Sequence, residues 1–224
     1  MTHTRCDAVR RRPPPPGQGT LDSVPTLTRP AAVAALAAAL LGAVGLYAAT
    51  HGAADLSGYV SEAGVLGAPR AILYRVSIFG IAAAVALLAL ALRTLSLPAA
   101  VLLALAVPGV VLSGTVRCST GCPLPPYEPT TAADLVHAGA SIAGMLLFAG
   151  GLFFLALAGA DPAVRSTSRI AAAVVVPVQA LAGLSIVFAG RGMITGVLER
   201  AALAASLGWL LAVAATLARP VRNG

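Results

Sequence analysis

The sequence predicts an all-α protein: a six-helix transmembrane bundle with both termini on the inner side and a disordered N-terminal tail. Three observations carry that expectation. The 224 residues are 58% hydrophobic and only 10% charged, whereas soluble domains carry about 25% charged residues. Mean hydropathy is +0.89, and a water-soluble fold of this kind would expose large apolar patches. Apolar runs of about 20 residues, the length that crosses a bilayer, recur six times. Every basic residue is arginine, giving a net charge of +7. These arginines are scattered among apolar segments and form no basic face, so they speak for membrane topology and against nucleic acid.

In chain order, residues 1–29 read as a disordered cytoplasmic tail. Arg10, Arg11 and Arg12 precede Pro13 to Pro16, with too little apolar surface to fold. The arginines invite a signal-peptide reading. The apolar run starts some twenty residues later and is too long for a signal core, so it is retained as the first helix. The membrane domain covers 30–219, with helices at about 31–50, 71–92, 97–116, 133–157, 170–189 and 198–218. The link Arg93-Thr94-Leu95-Ser96 makes the second and third an antiparallel hairpin. Glycine and alanine are dense throughout, which lets helices approach closely in lipid. Pro108 and Pro177 fall inside helices and predict kinks.

Arginine placement sets the orientation. With the N-terminus inside, the inner segments hold ten arginines and the outer segments five: Arg70, Arg75, Arg117, Arg191 and Arg200. Tyr47, Tyr59, Tyr74 and Tyr127 all fall near the outer end, as an interfacial belt would. The abundance of arginine and alanine suggests a GC-rich bacterial genome, so the expected location is the bacterial plasma membrane.

This topology gathers the unusual residues on the outer face. Cys118 and Cys122 sit in a polar, proline-rich island between apolar runs. In an oxidising compartment a disulfide staple is the favoured reading. A redox-active pair or a metal site is the alternative, but a tetrahedral metal needs further cysteine or histidine ligands nearby, and no metal is expected. Cys6 lies in the tail as a free thiol. His51 and Asp55 are four apart, and Asp134 and His137 three apart, so each pair shares a helical face if the helices reach that far. The four groups could hold a divalent metal or move protons. Capping by Thr130, Thr131 or Asp134 is favoured. A bis-histidine haem on His51 and His137 would lack aromatic surroundings, so no cofactor is expected. In the first outer loop, Glu62, Arg70 and Arg75 stand out. Arg75 lies about one turn into helix two and needs a counter-ion, with Glu62, Asp134 or Glu199 nearest by topology. It reads as a packing salt bridge or an anionic headgroup site. HExxH, GxSxG and phosphate-loop signatures are all missing.

The stretches SEAGVLGAPRAILYR after helix one, and CSTGCPLP with PTTAADLVHAGAS leading into helix four, resemble the bacterial multi-pass membrane proteins grouped as domain-of-unknown-function family 998. The likeness covers roughly residues 31 to 218. It implies an integral membrane protein of about six helices and supplies no activity, substrate or catalytic residue. The outward clustering of Arg75, Asp134, His137 and the cysteine loop makes a non-enzymatic binding function the expectation. The partners would be the bilayer and a lipid headgroup or membrane protein, engaged at the candidate outer-face residues His51, Asp55, Glu62, Arg70, Arg75, Asp134 and His137. Two alternatives stand beside it. One is a metal-dependent hydrolase or redox protein using the His/Asp pairs. The other is a small-solute transporter built on the helices that Pro108 and Pro177 interrupt.

Overall fold

The computed structural model describes residues 27–51 and 56–220, so the tail expectation for residues 1–26 and the position of Asp55 lie outside the described residues. Six helices follow one another: α1 (Thr28–Thr50), α2 (Ala71–Leu92), α3 (Leu97–Thr115), α4 (Ala132–Ala158), α5 (Pro162–Ala189) and α6 (Met193–Ala218). A single 3-10 turn, Val60–Gly64, lies between α1 and α2. All six helices are long and apolar enough to cross a membrane, and there is no strand among the described residues.

Local chemistry fixes the ends. The N–H groups of Leu95 and Ser96 both bond the Leu92 carbonyl at 2.9 Å, and Pro98 sits in the first turn of α3. That makes the α2–α3 hairpin, because proline tolerates a helix start where its missing N–H is not needed. Asp161 caps α5 by accepting from Val164 N–H at 2.9 Å, with Pro162 as the first helical residue. Helix α5 therefore starts eight residues before its apolar run at 170, and α6 starts five residues before 198. Pro108 and Pro177 lie inside α3 and α5, each of which continues as one element.

Each helix packs on its neighbours in sequence, and α6 returns to α1, so the bundle closes as a ring in chain order. Close approach depends on small residues. A Cβ at Gly109 of α3 would stand 2.8 Å from the Ala140 carbonyl oxygen and 3.0 Å from Gly144 Cα of α4, so backbone meets backbone there.

The largest apolar core lies toward the end that carries the chain termini. It draws Ala39, Leu88, Leu103, Leu152, Val164 and Leu210 from all six helices. There Trp209 packs edge-on to Phe148 at 5.0 Å and donates to Ser168 Oγ at 3.1 Å. The opposite end holds smaller apolar clusters, around Tyr74 and Ile78 and around Tyr59 and Cys118. Leu41, Ile72, Leu146, Ile170 and Phe188 are exposed, as lipid-facing side chains of a membrane bundle must be. Because the helices alternate in direction, the 56–70 and 116–131 connections and the tight turn at 190–192 meet at this second end, called here the loop end.

Candidate functional site

At the loop end, α4 begins with a reciprocal cap. Asp134 N–H donates to Thr131 Oγ1 at 3.3 Å, and Thr131 N–H donates back to Asp134 Oδ2 at 2.9 Å. The same carboxylate reaches the cysteine loop. Ser119 donates from its N–H to Oδ1 at 2.6 Å and from Oγ to Oδ2 at 2.9 Å, while Thr131 Oγ1 donates at 2.6 Å. Asp134 is 2% exposed, so both its oxygens are buried and fully engaged. One turn on, buried His137 places Nδ1 2.9 Å from the Val116 carbonyl. A carbonyl only accepts, so Nδ1 carries the proton. Asp134 and His137 share a helical face, as their spacing requires, but each is spent on holding the 116–131 connection.

That connection carries a Cys118–Cys122 disulfide, with Cα atoms 4.9 Å apart. Gly121 (φ +83°) and Cys122 (φ +47°) turn the chain through the left-handed region. Further along, Tyr127 Oη donates to Val187 O at 2.9 Å. The Tyr127 ring lies where a Cβ on Gly190 would be, 2.8 Å from Cδ2. Gly190 has φ +67°, so both backbone and space call for glycine there.

The 56–70 connection is tied to α6. Glu62 forms a two-toothed pair with Arg191, at 2.8 Å to Nε and 3.0 Å to Nη2, and accepts Tyr59 N–H at 2.8 Å. Glu199 accepts Val60 N–H at 2.8 Å, and Arg200 Nη1 donates to the Gly58 carbonyl at 2.9 Å. Burial, and then the carboxylates Glu199, Glu128 and Glu62, push the Tyr59 phenol up to about 12, against a smaller opposing effect of Arg191. Arg70 Nη1 donates to the Ala48 and His51 carbonyls at 2.6 and 2.7 Å, closing the end of α1. His51 itself is exposed and its ring stacks on Tyr47 with centroids 4.9 Å apart.

Arg75 differs from expectation. Its Nε donates to the Gly114 carbonyl at 3.1 Å, near the end of α3. Glu62, Asp134 and Glu199, the counter-ions anticipated from topology, are bonded to other groups. Arg75 lines a small recess with Ser61, Tyr74, Ser113, Arg117 and His137. Its volume of about 10 Å³ is near the lower limit for one water. No group of three or more His, Cys, Asp or Glu side chains among the described residues is placed to hold a metal ion. His51 follows the end of α1 and His137 lies on α4, and these helices are not neighbours in the ring.

Residues 32–216 match the family described as protein of unknown function (DUF998). The chain belongs to DUF998. No curated protein and no solved structure matches it. In this DUF998 chain the two stretches that carried the family likeness form the two sides of the loop end. Residues 61–75 tie to the 190–192 turn through Glu62 and to α3 through Arg75. Residues 118–141 tie to one another through Asp134, and Ser141 Oγ meets Ser113 Oγ of α3 at 2.8 Å.

Arg117, Ser119, Arg191, Glu199 and Arg200 complete the site and were not among the candidates. Thr131-x-x-Asp134 is a capping signature that a sequence can show. The Ser119 partnership is not, because nothing in the order of residues says which loop a cap's second oxygen will meet.

Proposed function

We propose that this DUF998 protein is a non-enzymatic binding protein of the membrane that engages a lipid or a membrane-protein partner at its loop end. The carrying observation is that both long connections are bonded down onto the helix ends, through Glu62–Arg191, Glu199–Val60 N and Ser119–Asp134. A pre-ordered polar surface at interfacial depth costs little entropy to use in recognition. The Asp134 carboxylate and His137 Nδ1, which acid–base or metal chemistry would need, are spent on structure, which disfavours the hydrolase and redox readings.

In this reading the protein sits in the bacterial plasma membrane with the loop end outside. The disulfide supports that side, since such bonds persist in oxidising compartments, as does the arginine bias. Single cysteines placed at Thr94 and at Thr130, in a background lacking the native cysteines, are labelled in intact cells with an impermeant maleimide. Labelling at 130 alone is expected; labelling at 94 alone would reverse the orientation.

The binding reading itself is tested by native mass spectrometry of the full chain released from its membrane. Retained lipid or protein is expected, together with its loss when the 117–131 connection is replaced by a glycine–serine linker. A chain that emerges bare from native membranes would sink it.

A further inference from the structure

Several arginines among the described residues close helix ends. Arg29 donates to Ala218 O at 3.2 Å, Arg165 to Gly159 O at 2.8 Å and Arg169 to Ala156 O at 2.9 Å, all carbonyls at helix C-termini. Arg70 does the same for α1. Such carbonyls have no partner within their own helix, and a cation there also meets the negative end of the helix dipole.

Arg75 follows the pattern with one nitrogen only, and Arg117 breaks it. Among the described residues Arg75 has one hydrogen bond, from Nε, and its two Nη groups have none. No buried side-chain nitrogen among the described residues is left without a partner, so those Nη groups are not sealed away from the surface. Arg117 lines the same recess, is exposed, and has neither hydrogen bond nor ion pair among the described residues. No carboxylate lines the recess. Of the lining residues, the Gly114 and Val116 carbonyls accept from Arg75 Nε and His137 Nδ1, and the Ser61 and Ser113 hydroxyls are bonded to Cys122 Sγ at 3.3 Å and Ser141 Oγ at 2.8 Å. Tyr74 adds a further hydroxyl, which is neutral. What remains is two guanidinium charges with no acid beside them in the recess.

Depth and neighbours narrow the ligand. Arg75 is the fifth residue of α2, about 6 Å along the helix from its start, which is headgroup depth for a spanning helix. Ile72 and Phe79, at three and four residues from Arg75, share its face and are exposed, Ile72 at 79%. Phe79 Cε1 would stand 3.2 Å from a Cβ on Gly114, so its ring borders the seam between α2 and α3. A two-cation mouth above an apolar seam fits a phosphate with acyl chains attached better than a free ion.

We propose that Arg75 and Arg117 bind the phosphate of an anionic phospholipid, with one phosphate oxygen entering the recess and the acyl chains lying along Ile72 and Phe79. This deepens the binding reading above and rests on it. Guanidinium offers paired donors to a phosphate where lysine offers a point charge.

The test uses the full chain in detergent, titrated with short-chain phosphatidylglycerol, short-chain phosphatidylcholine and inorganic phosphate, and read by thermal shift. Phosphatidylglycerol is expected to bind most tightly. Arg117→Gln, which removes no internal bond, should weaken it about tenfold, the equivalent of one charge-assisted contact. Arg75→Lys keeps the charge and should weaken it severalfold. Arg93→Gln, exposed at the other end, should change nothing. If phosphatidylglycerol binds the wild type but both loop-end variants bind it equally well, this site falls while the binding reading stands. If inorganic phosphate binds as tightly and is lost in Arg117→Gln, the lipid assignment is overturned. If none of the three ligands binds, the site falls, and the binding reading is then judged by what the chain retains from its own membrane.

Discussion

Replacing Asp134 by alanine tests whether one buried carboxylate holds the loop end together. The side chain accepts from two backbone N–H groups, Ser119 and Thr131, and from both of their hydroxyls. The hydroxyls can rotate to new partners, but the N–H groups cannot. Leaving such an N–H unpaired costs about 1–2 kcal/mol, while the Thr131 hydroxyl can still accept from the N–H of residue 134. The expected loss from the two N–H groups is therefore about 2–4 kcal/mol. For a chain of this size that lowers Tm by about 10 °C, read by intrinsic fluorescence of Trp209 in detergent. Asp161→Ala supplies an internal scale, because Asp161 caps α5 with one bond, to Val164 N–H, and should cost about 3 °C. Asp134→Asn keeps one carbonyl oxygen and should fall between the two. If Asp134→Ala melts no lower than Asp161→Ala, the carboxylate is not the tie between the cysteine loop and α4, and the account of a pre-ordered loop end fails with it.

Three further outcomes follow from other parts of the molecule. Gly109→Ala should destabilise by about 1–3 kcal/mol, as overpacking against backbone does, since its Cβ meets the Ala140 carbonyl and Gly144. Gly183→Ala has open space around it and should be neutral or slightly stabilising; equal melting shifts for the two would refute the close α3–α4 approach. Alkylation of the denatured chain should count one free thiol before reduction and three after, Cys6 being the only cysteine outside the Cys118–Cys122 bond. Opening so short a loop should cost no more than about 2 kcal/mol, so Cys118→Ser with Cys122→Ser should still fold. The raised Tyr59 phenol gives a pH dependence. A group whose folded pKa of about 12 lies above its ordinary 10.0 contributes its full stability below 10 and loses it as pH rises toward 12. Wild type should therefore lose Tm more steeply than Tyr59→Phe across that window, and parallel curves would contradict the burial of the phenol.

The helices were legible because lipid imposes a length. Hydropathy located the apolar stretch of all six, and it missed the true starts of α5 and α6 for a physical reason. It measures the thickness of hydrocarbon crossed, whereas a helix continues as long as its backbone is satisfied. Asp161 and Pro162 begin α5 through a segment, Val164 to Arg169, that is too polar to count as membrane-spanning yet is capped and helical. Met193 to Val197 open α6 ahead of Glu199 and Arg200, with no side-chain cap at its start. At the loop end, the residues that matter were visible one by one, but their partners were not. A sequence suggests side chains of opposite charge, so Arg75 was matched to Glu62, Asp134 or Glu199. Its actual partner is a carbonyl, as is that of Arg70, Arg200 and His137. Backbone acceptors occur at every residue and leave no mark in composition or spacing.

That preference for backbone partners has its own logic in a membrane protein. Six helices end in unpaired carbonyls at the edge of a medium that cannot hydrate them. A planar guanidinium on a long stem can reach such a carbonyl from a neighbouring helix while keeping its remaining donors toward water or headgroups. Arg29, Arg165 and Arg169 do this at the terminal end of the bundle, and Arg70 and Arg75 at the loop end. An arginine that closes a helix end still carries a full charge, and a carbonyl dipole does not neutralise it. Where a single such residue stands alone, solvent suffices. At the recess two stand together, Arg75 and Arg117, with no acid lining it and an apolar seam below. Two like charges lining one recess repel, and the fold keeps them there through the Asp134 tie to the cysteine loop and the Arg75 bond to Gly114. The arrangement is costly alone and becomes favourable once an anion bridges the pair, which is why the same residues that complete the fold also point to a ligand.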